Sequence, residues 1–478
     1  MLFNSLAFLG FFPAVVILYW ILPWKFRNAF LLISSYYFYM NWEPVYALLI
    51  LFSTATTWSA AMLMERHKAR KKLILGLNIA INLGILFLYK YAGFANQVVH
   101  DLLGSMHISM DVPSFSLLLP VGISFYTFQA VGYSIDVYRG TLKAERNFLV
   151  YALFVSFFPQ LVAGPIERAS NLLPQFHRRH SFSEAEFIRG IQMMLWGYFM
   201  KLGIAENVAT YVDAVFNNLP MHSGSSVALA SFFFTFQIFC DFGGYSLIAI
   251  GCAHCVGITL MQNFRQPYLA TSIRDFWRRW HISLTTWFTD YVYIPLGGNR
   301  CSRLRHKRNI IATFLASGLW HGANYTFIVW GAYHGILQVM EVLWSEIKRK
   351  LNINKSLTDY KVTRLIAVAC TFVLASIGWI LFRANSMSDA LLAFKKILTD
   401  HGPLYNGAGK PAIALPIILI GVLLCREMYL ERKKQPVPVR QSLTRREYIA
   451  SMISSAALLI IILLCGNFEG GQFIYFQF

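Results

Sequence analysis

Among the twelve histidines of this 478-residue chain, His321 stands apart. It lies in TFLASGLWHGANYTFIVWGAYHG, about a dozen residues beyond the basic pair Lys307 and Arg308. At ~1.5 Å per helical residue that is roughly 18 Å, the middle of a hydrocarbon core about 30 Å thick. An ionisable side chain at that depth is costly and marks a functional position by default. A neutral imidazole there can act as a general base at neutral pH, or it can hydrogen-bond between helices. Gly322 and Asn324 follow at once, so the spacing predicts a break that leaves room for substrate. His334, thirteen residues on in a Gly-rich stretch, either faces the same cavity or packs. His281, in RDFWRRWHISLTTWF, precedes His321 by forty residues. If that stretch is one helix, His281 shares a face with Trp277. Asp136 and Asp241 are further buried-looking charges, read as ligand contacts or as helix-end ion pairs such as Asp136 with Arg139. Cys252-Ala-His-Cys255 has metal-motif spacing but no second pair to complete a site, so it reads as packing. A P-loop, a dinucleotide fingerprint, HEXXH and GXSXG are all absent.

The elements that must position these residues follow from composition. Hydrophobic residues make up 56% of the chain and charged residues only 14%, against about a quarter charged in soluble domains. The formal charge of +19 is bunched in short stretches between apolar runs: 65–72, 177–180, 265–308, 345–350 and 426–446. That is the pattern of cytoplasmic loops, and it excludes nucleic acid as the partner. Residues 91–138 hold no Lys or Arg, as expected of the opposite side. Twelve apolar runs are candidate spans: 2–22, 28–42, 44–64, 73–93, 114–136, 188–205, 226–250, 309–325, 326–344, 363–383, 411–425 and 448–465. With the basic loops inside, both termini fall outside, and the first run is a span rather than a cleavable leader. Residues 148–166, apolar but broken by Pro159, Gly164 and Pro165, predict a re-entrant hairpin. Residues 265–308 carry nine Lys/Arg and two Asp among Trp277, Trp280, Trp287, Tyr291 and Tyr293. This mixture predicts a helix lying at the cytoplasmic interface, where Arg278 and its neighbours attract lipid head groups or an anionic, phosphate-bearing cosubstrate. The chain reads as one membrane domain, 1–478, with no internal repeat.

Four segments, LPVGISFYTFQAVGYSIDVYRG (119–140), FPQLVAGPIER (158–168), RDFWRRWHISLTTWFTDYVYIPLGGNR (274–300) and GLWHGANYTFIVWGAYHG (318–335), occur in this order. They resemble the membrane-bound O-acyltransferase (MBOAT) family, most closely its alginate O-acetyltransferase-like branch. The likeness runs from LFNSLAFLGFFP to FIYFQF. It implies an all-α polytopic fold, a ring of about 10–12 transmembrane helices with re-entrant segments around a central tunnel, in the bacterial cytoplasmic (inner) membrane. It also implies a catalytic His321 in the WHG motif, with His281 at the family's second polar position. Trp320, Asn324, Arg278 and Trp280, beside these motifs, are the candidate substrate contacts. No permanently bound cofactor is implied; acetyl-CoA, another acyl thioester or an acyl carrier is the donor. The acceptors are hydroxyls of a cell-envelope polysaccharide, reached through a periplasmic acetyl-transfer partner protein. D-alanyl transfer to teichoic acid is the alternative within the family. A transporter or flippase is the alternative outside it, but transporters often show repeated halves, and WHG is unexplained by transport.

Overall fold

The computed structural model describes residues 1–106, 119–162, 164–351, 361–407, 409, 411–433, 444–468, 473 and 474. Part of the expected span 114–136, part of the basic stretch 426–446 and most of the expected external C-terminus lie outside the described residues. Every described element is helical. Seven helices are long and apolar enough to cross a membrane, ending with α19 and α20 (Pro411–Lys433, Arg445–Cys465). Several expected spans fall short of that measure. α1 (Leu6–Ile21), α2 (Trp24–Met40) and α6 (Ile123–Arg139) have 16 or 17 residues, and α15 (Arg303–His321) opens on a basic turn. The run 188–205 divides between α10 (Glu184–Tyr198) and a π-helical stretch, Phe199–Ala205.

The chain forms two compact units, one of residues 1–191 with 249–261, the other of 192–248 with 262–478. The first unit packs α3 (Tyr46–Arg66), α4 (Lys71–Lys90) and α6 on one another. The polar residues in these apolar runs find each other. Ser53 donates to Asn82 at 2.7 Å and Asn78 donates to Ser134 at 2.9 Å. Tyr151 donates to Thr57 at 2.7 Å. Interhelical hydrogen bonds of this kind satisfy groups that lipid would leave bare. The stretch 148–166 forms two short buried helices, α7 (Phe148–Ser156) and α8 (Phe158–Leu161), broken at Phe157. Nine residues of α7 reach only about 14 Å, well under a bilayer core. Residues 249–261 return to this unit late in the sequence and are stitched into it. Trp20 donates its indole N–H to the Cys255 carbonyl, Gln175 bonds both backbone groups of Thr259, and Glu167 accepts from the Met261 N–H.

In the second unit, α15 and α16 (Tyr325–Lys350) form an antiparallel hairpin joined at 322–324. Glycines let the two backbones meet. A Cβ on Gly318 would lie 2.3 Å from the Phe327 carbonyl oxygen, and one on Gly331 would lie 2.4 Å from that of Phe314. Small residues at such crossings are the usual way membrane helices approach closely. α13 (Ile273–Trp277) and α17 (Lys361–Arg383) pack against α16.

The interfacial helix expected over 265–308 is not one helix. The stretch breaks into α13, α14 (Ile282–Phe288) and a π-helical turn, Thr289–Tyr293. His281 takes φ 43°, ψ 53° and starts α14, so it shares no helix face with Trp277. Trp277, Trp280 and Trp287 are buried. Their indoles drive the stretch inward rather than leaving it flat on a membrane surface.

Candidate active site

His321 is the last residue of α15, where Gly322 turns the chain at φ −164°. A Cβ on Gly322 would lie 2.1 Å from the Phe327 ring, so any side chain here would force that buried ring to move. Helix α16 then starts on Asn324, whose Oδ1 accepts from the Thr326 N–H at 3.1 Å while its Nδ2 donates to the Asn385 carbonyl. Asn324, expected to contact substrate, is thus engaged in capping and in tying the turn to a neighbouring loop. His321 is 3% exposed and is walled by Trp320, Trp330 and Phe382, with ring centres 5.0, 5.0 and 5.4 Å away.

The structure brings His281 to the same place: the two imidazole centres are 6.4 Å apart. Trp320 touches both, its ring 6.0 Å from His281. Left-handed backbone is uncommon for a residue with a side chain and clusters at functional sites. Hydrogen bonding fixes the tautomer of His281. Asn263 Oδ1 accepts from the Ser283 N–H and hydroxyl at 3.4 and 3.0 Å, while Asn263 Nδ2 donates to Ser246 at 3.1 Å. A backbone N–H can only donate, so the oxygen of Asn263 must face it. His281 Nδ1, 3.0 Å from that same oxygen, therefore carries the proton, and Nε2 carries the lone pair. Burial pushes the His281 pKa down to about 3, so this ring stays neutral at physiological pH. Phe242 packs edge-on against it at 4.6 Å.

His334 is fully buried and lies behind Trp330, with ring centres 5.1 Å apart. Its Nδ1 accepts from the Trp277 indole at 3.4 Å, and its Nε2 lies where a Cβ on Gly378 would come within 2.6 Å. Of the two expectations for His334, this environment is the packing one. Trp280 sits in an aromatic stack with Phe276 and Trp379, and Arg278 is exposed at the end of α13. Neither makes a ring contact or hydrogen bond with the histidine pair among the described contacts. The indole N–H of Trp330 is buried and has no acceptor among the described residues, and its ring packs edge-on against His321.

Asp241 departs from the helix-end pairing expected for it. It sits inside α12 (Gly224–Cys255) and accepts from Lys201 at 2.6 Å, and Glu206 holds the same ammonium at 2.7 Å. The three groups are nearly fully buried, so each carboxylate needs a cation, and both share Lys201, five residues before Glu206 and forty before Asp241. Sequence reasoning missed Lys201, Glu206 and Asn263. Lys201 inside the apolar run GYFMKLGIA was the available signal; Asn263, in a polar stretch, gave none. Cys252 and Cys255 are buried, and among the described residues no group of three His, Cys, Asp or Glu could hold a metal ion.

Seven helices long and apolar enough to cross a membrane define the chain as a polytopic membrane protein, and it buries a pair of histidines side by side. The profile of the family described as "MBOAT, membrane-bound O-acyltransferase family" matches residues 144–382, a range that includes both histidines. The chain is 39% identical over 399 residues, 82% of its length, to a probable alginate O-acetylase AlgI of Pseudomonas aeruginosa, covering 73% of that protein. It is 33% identical over 436 residues to a peptidoglycan O-acetyltransferase of Helicobacter pylori, covering 84% of this chain and 80% of that protein. A teichoic acid D-alanyltransferase of Bacillus subtilis is 28% identical over 282 residues, covering 56% of this chain and 70% of that protein. The chain belongs to the membrane-bound O-acyltransferase family. It is an O-acyltransferase and a multi-pass membrane protein.

Proposed function

We propose that this enzyme, in the bacterial inner membrane, moves an acetyl group from a cytosolic thioester to hydroxyls of a cell-envelope polysaccharide. The hydroxyls are reached directly or through a periplasmic acetyl-transfer partner. The pairing of His321 with His281 at 6.4 Å, in a buried aromatic pocket within the family-matched stretch, carries this reading. The acceptor hydroxyl attacks the thioester carbonyl, a C–O bond forms and the C–S bond breaks. The hydroxyl proton passes to His321 and from there to the departing thiolate. His281 fits the supporting role, because its Nδ1 proton is committed to Asn263 and its ring is held in place. Its Nε2 lone pair instead accepts a hydrogen bond that orients a hydroxyl or the partner imidazole. Trp330, whose ring packs on His321 and whose indole N–H lacks an acceptor among the described residues, is the donor proposed for the acyl oxygen, where negative charge develops. A thioester needs little further activation once it is oriented.

Membrane vesicles supplied with radiolabelled acetyl-CoA test this: label should move into polysaccharide or a periplasmic acceptor. General-base assistance is worth roughly 10²–10⁴-fold, so His321→Gln should lower transfer at least that far while still inserting. Near-normal turnover of that variant would remove the base role. D-alanyl transfer is the second reading, and label moving from a D-alanyl carrier but not from acetyl-CoA would favour it.

A further inference from the structure

The α15–α16 hairpin carries an open groove at its basic end, away from the turn that holds His321. It encloses about 820 Å³, and its apolar lining includes Leu304, Ile311, Ile336, Met340 and Leu343. Several of these side chains are largely exposed, Met340 by 57% and Ile336 by 53%. The rim is cationic. Arg305 donates its Nε to the Leu296 carbonyl at 3.1 Å, which fixes the guanidinium at the rim. Lys307 is partly neutralised by Glu346 at 3.6 Å. Arg308 is exposed and makes no ion pair among the described residues.

We propose that this groove binds an anionic glycerophospholipid, with the phosphate on Arg305 and Arg308 and one acyl chain along Ile311 and Ile336. The argument is the order of chemistry along the helix. Six residues separate Arg305 from Ile311, so hydrocarbon begins roughly 9 Å from charge. That sequence, anion first and chain beyond, is that of a phospholipid standing in its leaflet. The volume lies within the range of small-molecule sites, about 300–1,000 Å³. A zwitterionic lipid would fill the same space but bring its own cation to a rim that already holds three. The lipid is bound beside the catalytic hairpin, and the inference does not depend on which acyl group the enzyme transfers.

Native mass spectrometry of the full-length protein in detergent tests this, with phosphatidylglycerol and phosphatidylcholine of matched chains titrated separately. A basic residue at an anionic membrane surface is worth about fivefold in affinity. Wild-type protein should therefore prefer phosphatidylglycerol, and Arg308→Gln should lose about fivefold for it and less for phosphatidylcholine, whose choline already offsets the phosphate. Val339→Trp, which fills the groove, should weaken both lipids. Arg308 is exposed, so its substitution leaves folding intact, and an unchanged melting temperature checks that. Equal phosphatidylglycerol binding by wild type and Arg308→Gln overturns the proposal. So does undiminished lipid binding by Val339→Trp. Displacement by millimolar inorganic phosphate, or by an acidic acyl-carrier protein, would reassign the basic rim to a free anion or to donor docking.

Discussion

His321 was readable because an imidazole in an apolar run has few inexpensive explanations. His281 was readable only as a polar residue within a motif. Its left-handed backbone and the Asn263 bond that fixes its proton arise from contacts no spacing rule reports. Arg278 and Asn324 had the right chemistry for substrate contact, but one faces outward and the other caps a helix. The site therefore predicts an order of losses. His281→Ala should lower turnover less than His321→Gln, and His334→Ala should lower it least, because His334 answers to Trp277 rather than to substrate. Steady-state rates in vesicles check the ranking, and a His334 variant slower than His281→Ala would break it. Glu167 gives a pH prediction of its own. Burial pushes its carboxyl up to about 7, against the hydrogen bonds from Asn171 and Met261. The folded protein thus holds this proton more tightly than the unfolded chain, whose carboxyl titrates near 4.5. The stabilisation is complete below about pH 4.5 and lost as pH rises through 7, on the order of 3 kcal/mol. Melting temperature in detergent should fall between pH 5 and 8, and Glu167→Gln should flatten that fall; equal slopes would refute the linkage.

At the scale of elements, the hairpin of α15 and α16 does the positioning. Its turn falls where Gly322 and Asn324 mark a break in the sequence, so that boundary was legible. The close approach at Gly318 was less so, since a glycine in an apolar run also fits a plain kink. A methyl group on Gly318 would press on the Phe327 carbonyl. Gly318→Ala should destabilise by about 1–3 kcal/mol, in the range of overpacked interiors, and displace His321 three residues on. Thermal unfolding in detergent and acyl transfer should fall together, and a variant as stable as wild type would show slack in the crossing. The 265–308 stretch was misread for an identifiable reason. Aromatic and basic residues alternate there as they do at a membrane interface, but the tryptophans are buried and the backbone turns at His281. Composition cannot separate those two cases.

At the scale of the whole molecule, hydropathy identified the long spans well. Shorter or interrupted runs, such as α2, α6 and the stretch around residues 199–205, carry a weaker hydropathy signal because they hold fewer consecutive apolar residues. The clustering of Lys and Arg predicts the orientation. A reporter fused after residue 70 should read cytoplasmic and one near residue 105 external, and swapped signals would invert the threading. The first unit has a further consequence, in the order of biosynthesis. Its residues 1–191 are stitched to 249–261, which the ribosome makes only after residues 192–248 of the other unit. At about 5–20 residues per second, the seventy residues from 192 to 261 take roughly 4–14 s. Throughout that interval the Trp20 indole and the Glu167 carboxylate are without the backbone partners they hold in the finished protein. A nascent chain stalled near residue 240 should therefore carry an open first unit, sensitive to proteolysis and dependent on an insertase or chaperone. One stalled well past residue 261 should already be closed.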